Sequence, residues 1–383
     1  MTHPHATKAN LNANDVHTLS SHHLQSFLDL DMQNRHYTTQ DILDVLLTAA
    51  SQTSTIDAVC RDLPSAPSAN TIRNTVREAL PTSSTELEQK LNDTLRATLP
   101  KKFLVNGLVC AVDITAISYY GKNHDAPFVR RGKSAAGTSR YHCYASLYTL
   151  KRNKRYTLAV TRMSKHEKVL PVLMRLLETA ERVGVKIKRL LLDRGFDNND
   201  VVHYLQEQPF VSIMPLSLRG KRAKALVKTR RSYQATFTRG SRAYGAATFE
   251  VVVACKYSRG KYRRKGVHAR AFIVIGKLKM LPLQLHEEYR RRFGVESSYR
   301  CMNAVRASTS SRCAGYRLLL VGIAFLLLNV WSLVKWSFVH AQQRGPRVVL
   351  HALLPLRTLC WWLIEVVRQR LGLRLDIYLP VTS

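Results

Sequence analysis

Residues 318–334 (LLLVGIAFLLLNVWSLV) run for seventeen positions without a charge, between Arg317 and Lys335. A helix this apolar on every side has two destinations. One is a bilayer, for which about 17 residues is the lower limit. The other is the interior of a fold with apolar partners all round. Gly322, Asn329 and Ser332 interrupt the run, and nothing else in the chain anticipates a membrane, so a buried core helix is expected. That outcome demands a large core. A chain of 383 residues, 45% hydrophobic and 22% charged, is ordinary for a folded protein and supplies enough apolar surface for two or three domains.

The grammar of the chain changes near residue 100. Residues 38–50 carry Ile42, Val45, Leu46 and Ala49 at helical spacing behind a Thr cap. Two short helices follow around the break Pro64-Ser65-Ala66-Pro67. They suit a helix-turn-helix, with Arg73 and Arg77 turned to DNA on the second helix, or a plain helical bundle with a Pro-rich corner. From residue 101 apolar strands take over: 104–115, 142–150, 156–163, 187–193 and 210–216, with helices at 167–183 and after 200. Three strands, a helix, a strand, a helix and a strand make an α/β layer fold. The expected divisions are a helical N-terminal domain over 1–100, a core over 101–216, a basic β-rich insertion over 217–283, the rest of the core over 284–340, and a helical basic tail over 341–383. Within the fourth division a single helix over 284–304 is predicted.

Charge is distributed as unevenly as structure. Residues 1–100 hold 7 basic and 11 acidic side chains, whereas residues 101–383 hold 52 basic and 15 acidic. Between Glu207 and Glu287 the sole carboxylate is Glu250, while residues 219–279 contain 18 Lys or Arg. A solvated charge face usually mixes signs; one this one-sided suits tracking a phosphate backbone. Arg219, Lys221, Arg222, Lys224, Arg230 and Arg231 in this stretch, with Arg300 and Arg306 further on, are the candidate DNA contacts.

In so cationic a segment the few acids need a reason. Cleaving a phosphodiester with two divalent cations requires several carboxylates on a patch about 4 Å wide, and hard cations take oxygen ligands. Asp113 lies at the end of the first strand and Asp193 just past the fourth. In a strand order 3-2-1-4-5 these strands are neighbours, so the two carboxylates meet where open α/β sheets gather ligands. Glu296, on the helix after the insertion, must close the site from the side. Each has a plainer reading. Asp113 could end a turn, Asp197 or Asp200 could replace Asp193 as ligand or cap helices, and Glu296 could pair with Arg292 or Arg300 along its helix.

Three segments carry a family resemblance over about residues 105–335: VDIT with Asp113, LLLDRGF with Asp193, and YRRRFGVESSYR with Tyr289, Arg292 and Glu296. The last three share one helix face by their spacing. In these segments the chain resembles a DDE transposase of the IS4 group, closest to its ISH3-like branch. The resemblance implies an RNase H-like mixed-sheet catalytic core with a β-rich insertion, and two Mg²⁺ ions, or Mn²⁺, held by Asp113, Asp193 and Glu296. Tyr289 and Arg292 would handle DNA near the cut. The family signature ends on a Lys seven residues after the Glu; here that position is Asn303, which puts efficient activity in question.

The expected function is therefore that of an insertion-sequence transposase. It would bind double-stranded terminal inverted repeats, cut the element's ends and join them to target DNA, as a homodimer in the assembled complex. Competing readings are a nuclease or impaired DNA-binding relative, a nucleic-acid-coating module with structural carboxylates, and a basic membrane-anchored protein. The opening residues have no apolar leader. Seven scattered cysteines without a CxxC pair suggest reduced thiols. A cytoplasmic, nucleoid-associated location without membrane contact is the expectation.

Overall fold

The computed structural model describes residues 11–30, 32, 36–121, 127–150, 155–259, 265–341 and 347–376. Among the described residues six helices come first: α1 (Ala13–Phe27), α2 (Thr39–Ser51), α3 (Ile56–Asp62), α4 (Ala69–Ala79), α5 (Ser84–Ala97) and the short α6 (Lys101–Val105). Four strands follow, β1 (Leu108–Ser118), β2 (Val129–Ala135), β3 (Thr138–Thr149) and β4 (Thr157–Arg162). Then come α7 (Val169–Arg182), β5 (Ile187–Leu191), α8 (Asn199–Gln206), β6 (Val211–Pro215) and α9 (Gly220–Leu226). The basic stretch supplies β7 (Tyr233–Arg239), β8 (Ala247–Arg259) and β9 (Lys265–Ile275). The remaining helices are α10 (Pro282–Arg290), α11 (Gly294–Asn303), α12 (Ala314–Ser337) and α13 (Leu356–Leu371).

All these strands belong to one mixed sheet, ordered β2-β3-β1-β5-β6-β9-β8-β7, with β4 also paired to β3. β1, β5 and β6 run parallel, and their near-continuous apolar runs reflect cover on both faces. Side chains alternate between those faces. Cys110, Val112, Leu190, Leu192 and Met214 join the cluster that holds α7 and α8. Ala111, Leu191, Ile213 and Phe272 join the cluster that holds Leu285 and Tyr289 of α10. Asp113, two residues beyond Ala111, therefore belongs to the α10 side.

The helical layer is built around α12. Its residues from Tyr316 to Val330 are all buried, in a cluster that contains Leu24, Leu46, Ile72 and Leu91 from the N-terminal helices and Leu359, Leu363 and Val367 from α13. The apolar run is thus a core helix, and its interruptions have uses. At Gly322 a Cβ would stand 2.9 Å from Leu91 Cδ1 and 3.0 Å from Phe27 Cε1, so any larger residue there would have to displace those side chains. Asn329 is fully buried. Its Oδ1 accepts from the Thr157 N–H at 2.8 Å, and its Nδ2 donates to Thr157 O at 2.9 Å and Thr98 Oγ1 at 3.0 Å. One amide thereby ties α12 to the edge strand β4 and to the end of α5.

Several details depart from the sequence reading. The first strand starts at Leu108, because Lys101–Val105 forms α6. β2 carries Arg130, Arg131 and Lys133, so its polarity hid it as a strand. The basic β-rich insertion is built into the same sheet: β9 pairs with β6 from Ser212↔Ile275 to Pro215↔Phe272. The tail does not trail, since α13 packs on α1 and α2 and Arg370 meets Asp41 at 2.6 Å and Asp44 at 2.7 Å. The helix expected over 284–304 is broken by a 3-10 turn, Arg291–Phe293, immediately before Gly294.

His142 on β3 gives the fold a pH signature. Both its ring nitrogens are buried, and its ring meets Tyr119 edge-on. Burial, with Arg317 and Arg162 nearby, pushes its pKa down to about 4. The unfolded chain then binds more protons than the folded one between about pH 4 and the ordinary histidine value near 6.5. Stability is full above that window and is lost as pH falls through it, by about 3 kcal/mol for a shift of this size. Urea midpoints measured from pH 7 to 4 should fall accordingly, and His142→Phe should flatten that dependence.

Candidate active site

Parallel pairing sets the geometry. Ala111 on β1 lies opposite Leu191 on β5, so Asp113 and Asp193, each two residues further on, emerge at the same level of adjacent strands. Asp193 precedes the 3-10 turn Arg194–Phe196, yet its side chain makes no capping hydrogen bond. Its carboxylate is 45% exposed, that of Asp113 18%. Both are accessible from solvent without being fully immersed in it.

Arg292 joins them. Its side chain is only 7% exposed; Nη2 is 3.0 Å from Asp193 Oδ1 and Nη1 is 3.7 Å from Asp113 Oδ2. The guanidinium offsets the repulsion between two neighbouring carboxylates. Its Nε donates to the Tyr289 hydroxyl at 2.9 Å, and that hydroxyl donates to Leu192 O at 3.1 Å. The 3-10 turn explains this contact, because residues three apart eclipse in that geometry. Burial alone would depress the Arg292 guanidinium, but Tyr289, Asp193 and Asp113 outweigh it and hold the charge more firmly than usual. Burial likewise pushes Tyr289 up to about 12, against the opposing pull of Arg292. Tyr289 therefore stays a neutral donor, wedged against Phe272.

Tyr299 makes a contact that sequence reading missed. Its hydroxyl donates to the Asp113 main-chain carbonyl at 2.8 Å and lies 2.8 Å from Ser146 Oγ. Ser146 is the residue directly opposite Asp113 on β3. α11 is thus pinned to β1 at the level of the first carboxylate. Glu296 precedes Tyr299 on this helix by one turn, and its side chain lies outside the described residues. The available signal was the i, i+3 spacing of Glu296 and Tyr299, but a tyrosine in a helix is ordinarily core.

The alternative ligands have other duties. Asp197 is buried; it accepts from the Ser217 N–H at 2.5 Å and pairs with Arg239 at 2.6 Å, binding the insertion to the core. Asp200 accepts from the Val201 N–H within α8. Arg292 faces the two aspartates across the sheet ends, as described above, and Arg300 is exposed. Arg219, Lys221, Arg222 and Lys224 are exposed at the start and along the length of α9, as are Arg230 and Arg231 before β7. Arg306 is half-buried with Nε 3.4 Å from Asn303 Oδ1. On α4, Arg77 is exposed, whereas Arg73 is held by Asp57 and Asn70, both at 2.5 Å. The sequence candidates therefore fall into separate groups: the pair of aspartates with Tyr289 and Arg292, and basic side chains spread over α9, the turn before β7, α11 and α4.

Two carboxylates at one level, both reached by a single cation, form a donor set suited to a hard divalent ion. A family model described as the transposase DDE domain matches residues 107–330, more than half of the chain. No curated protein matches it. Among solved structures, a piggyBac transposase synaptic complex with hairpin DNA is similar at a TM-score of 0.55 and 12% identity, over 95% of this chain and 83% of that one. The shared feature at that identity is the fold, a mixed α/β architecture with an RNase H-like core.

Proposed function

Because the chain belongs to the transposase DDE domain family, whose enzymes generally work with divalent metal ions, we propose that it is the DNA transposase of an insertion sequence of the IS4 group's ISH3-like branch. It binds the element's terminal inverted repeats, cuts the DNA at their ends and transfers the freed 3′ end to target DNA. The observation that carries this reading is the single Arg292 guanidinium within reach of both Asp113 and Asp193. Asp113, Asp193 and Glu296 are the proposed ligands of Mg²⁺, with Mn²⁺ as a substitute. Such ions, when bound, supply electrostatic stabilisation to the attacking and leaving oxygens of an in-line displacement.

The chain's own residues do the positioning. Tyr299 fixes α11 on β1 by a main-chain hydrogen bond, which bears on the reach of Glu296 one turn earlier. Tyr289 takes the Arg292 Nε and leaves the two terminal nitrogens for anionic oxygens. The exposed Arg219, Lys221, Arg222 and Lys224 offer phosphate contacts along α9, and Arg230 and Arg231 offer more near β7. Two subunits acting together on two element ends are part of this reading.

The test is a duplex carrying the element's own end, incubated with Mg²⁺ and scored for end cleavage, and then a pre-cut end scored for joining to a plasmid. Joined product supports a transposase. Cutting without joining favours a nuclease, the reading suggested by Asn303, which meets Arg306 where the family signature has Lys. Removing the tyrosine hydroxyl should matter too. Tyr289→Phe leaves Arg292 Nε and Leu192 O without their partner, a loss of about 1.5–3 kcal/mol for a bond to a charged group. Expressed in the cleavage rate, this is about a 10- to 100-fold fall, with little change in KM for DNA.

A further inference from the structure

Behind the Asp113 side of the sheet lies a cavity of about 300 Å³, at the small end of the roughly 300–1,000 Å³ typical of small-molecule sites. Phe325, Leu328 and Trp331 of α12 form its apolar wall. Tyr148 of β3, Arg155 before β4, Lys335 of α12 and His351 before α13 supply its polar one, and no carboxylate lines it among the described residues. Lys335 is 6% exposed, and its ammonium stands 3.1 Å from the centre of the Trp331 ring.

The polar groups act on one another. Burial holds Lys335 down to about 8, and Arg155 deepens the effect. His351 is depressed by burial and by Lys335. Lys335 and His351 thus meet in a partly dry space with no acid lining it among the described residues. Tyr148 is 4% exposed, and among the described residues its hydroxyl has no hydrogen-bond partner. A buried hydroxyl in that state is costly, as is a buried cation without an anion. One occupant relieves both: an anion with several acceptor oxygens, since the donors come from four separate parts of the chain. A planar ring on the same molecule fits the aromatic and aliphatic wall beside it.

We propose that this cavity binds a free nucleoside monophosphate. Its base lies against Phe325, Leu328 and Trp331, and its phosphate is held by Lys335, Arg155 and the Tyr148 hydroxyl. A free nucleotide is favoured over one within a DNA strand because the volume suits a single unit and both Tyr148 and Lys335 are under a tenth exposed.

Equilibrium dialysis of the full chain decides the matter, with AMP, UMP, adenosine and inorganic phosphate as separate probes. At least one nucleotide should bind with Kd at or below about 1 mM, about tenfold or more tighter than adenosine or phosphate alone. Tyr148→Phe should weaken binding about 3- to 10-fold, and Lys335→Met about 10-fold or more. Tyr148→Phe keeps the ring, so it decides alone if Lys335→Met fails to fold. The proposal is overturned if neither nucleotide binds at about 10 mM, or if the folded variants bind as the unaltered chain does. It is equally overturned if a short single-stranded oligonucleotide displaces AMP at equal nucleotide concentration, since the site would then belong to DNA.

Discussion

Asp193→Asn should abolish Mg²⁺-dependent cleavage of the element's end, lowering the single-turnover rate by about 10³-fold or more, as loss of several kcal/mol of metal-mediated stabilisation requires. The fold should hardly notice. Asp193 caps no helix with its side chain and is nearly half exposed, with Arg292 as its partner. Unchanged thermal unfolding with lost cleavage is the expected signature, and Glu296→Gln should share it. Asp197→Asn should behave in the opposite sense, because its buried carboxylate ties Ser217 and Arg239 to the core. Retention of cleavage within tenfold in Asp193→Asn, measured with the labelled end duplex, would remove the metal-site reading.

The largest stability effect is expected at Asn329. Replacing it with leucine keeps the side chain's approximate volume and strips four described hydrogen bonds, leaving the Thr157 N–H and the Thr157 carbonyl to find other partners inside the protein and the Thr98 hydroxyl without its amide donor. Each buried group left unsatisfied costs about 1–3 kcal/mol, so a total of about 3–5 kcal/mol is reasonable after relaxation. That is a large share of a typical domain's stability. Urea denaturation followed by circular dichroism should show a lower midpoint with an unchanged slope. A shift below about 0.5 kcal/mol, the range of an ordinary surface substitution, would mean that the amide is dispensable.

Much of the sheet was legible because parallel strands announce themselves as apolar runs. The segments around Val112 and Leu190 read as neighbours from their sequence, and with them the two aspartates. What escaped depended on context. Lys133 and its neighbours made β2 look like a loop, although an edge strand tolerates solvent on its side chains. The 3-10 turn at Arg291–Phe293 could not be read from spacing, since i, i+3 and i, i+4 pairs suit an unbroken helix as well. Tyr299 acts through its hydroxyl on a main-chain oxygen, a partner that has no letter in the sequence. The tail was read as separate because the Arg370 pairing with Asp41 and Asp44 spans most of the chain.

The Tyr299 tether has a practical corollary for anyone dissecting this enzyme. It grips the peptide of residue 113 and leaves the acid group of that residue alone. Charge at that position can therefore be neutralised while the anchoring of the neighbouring helix survives, so on the proposed reading such a variant should serve as a scaffold for trapping bound DNA.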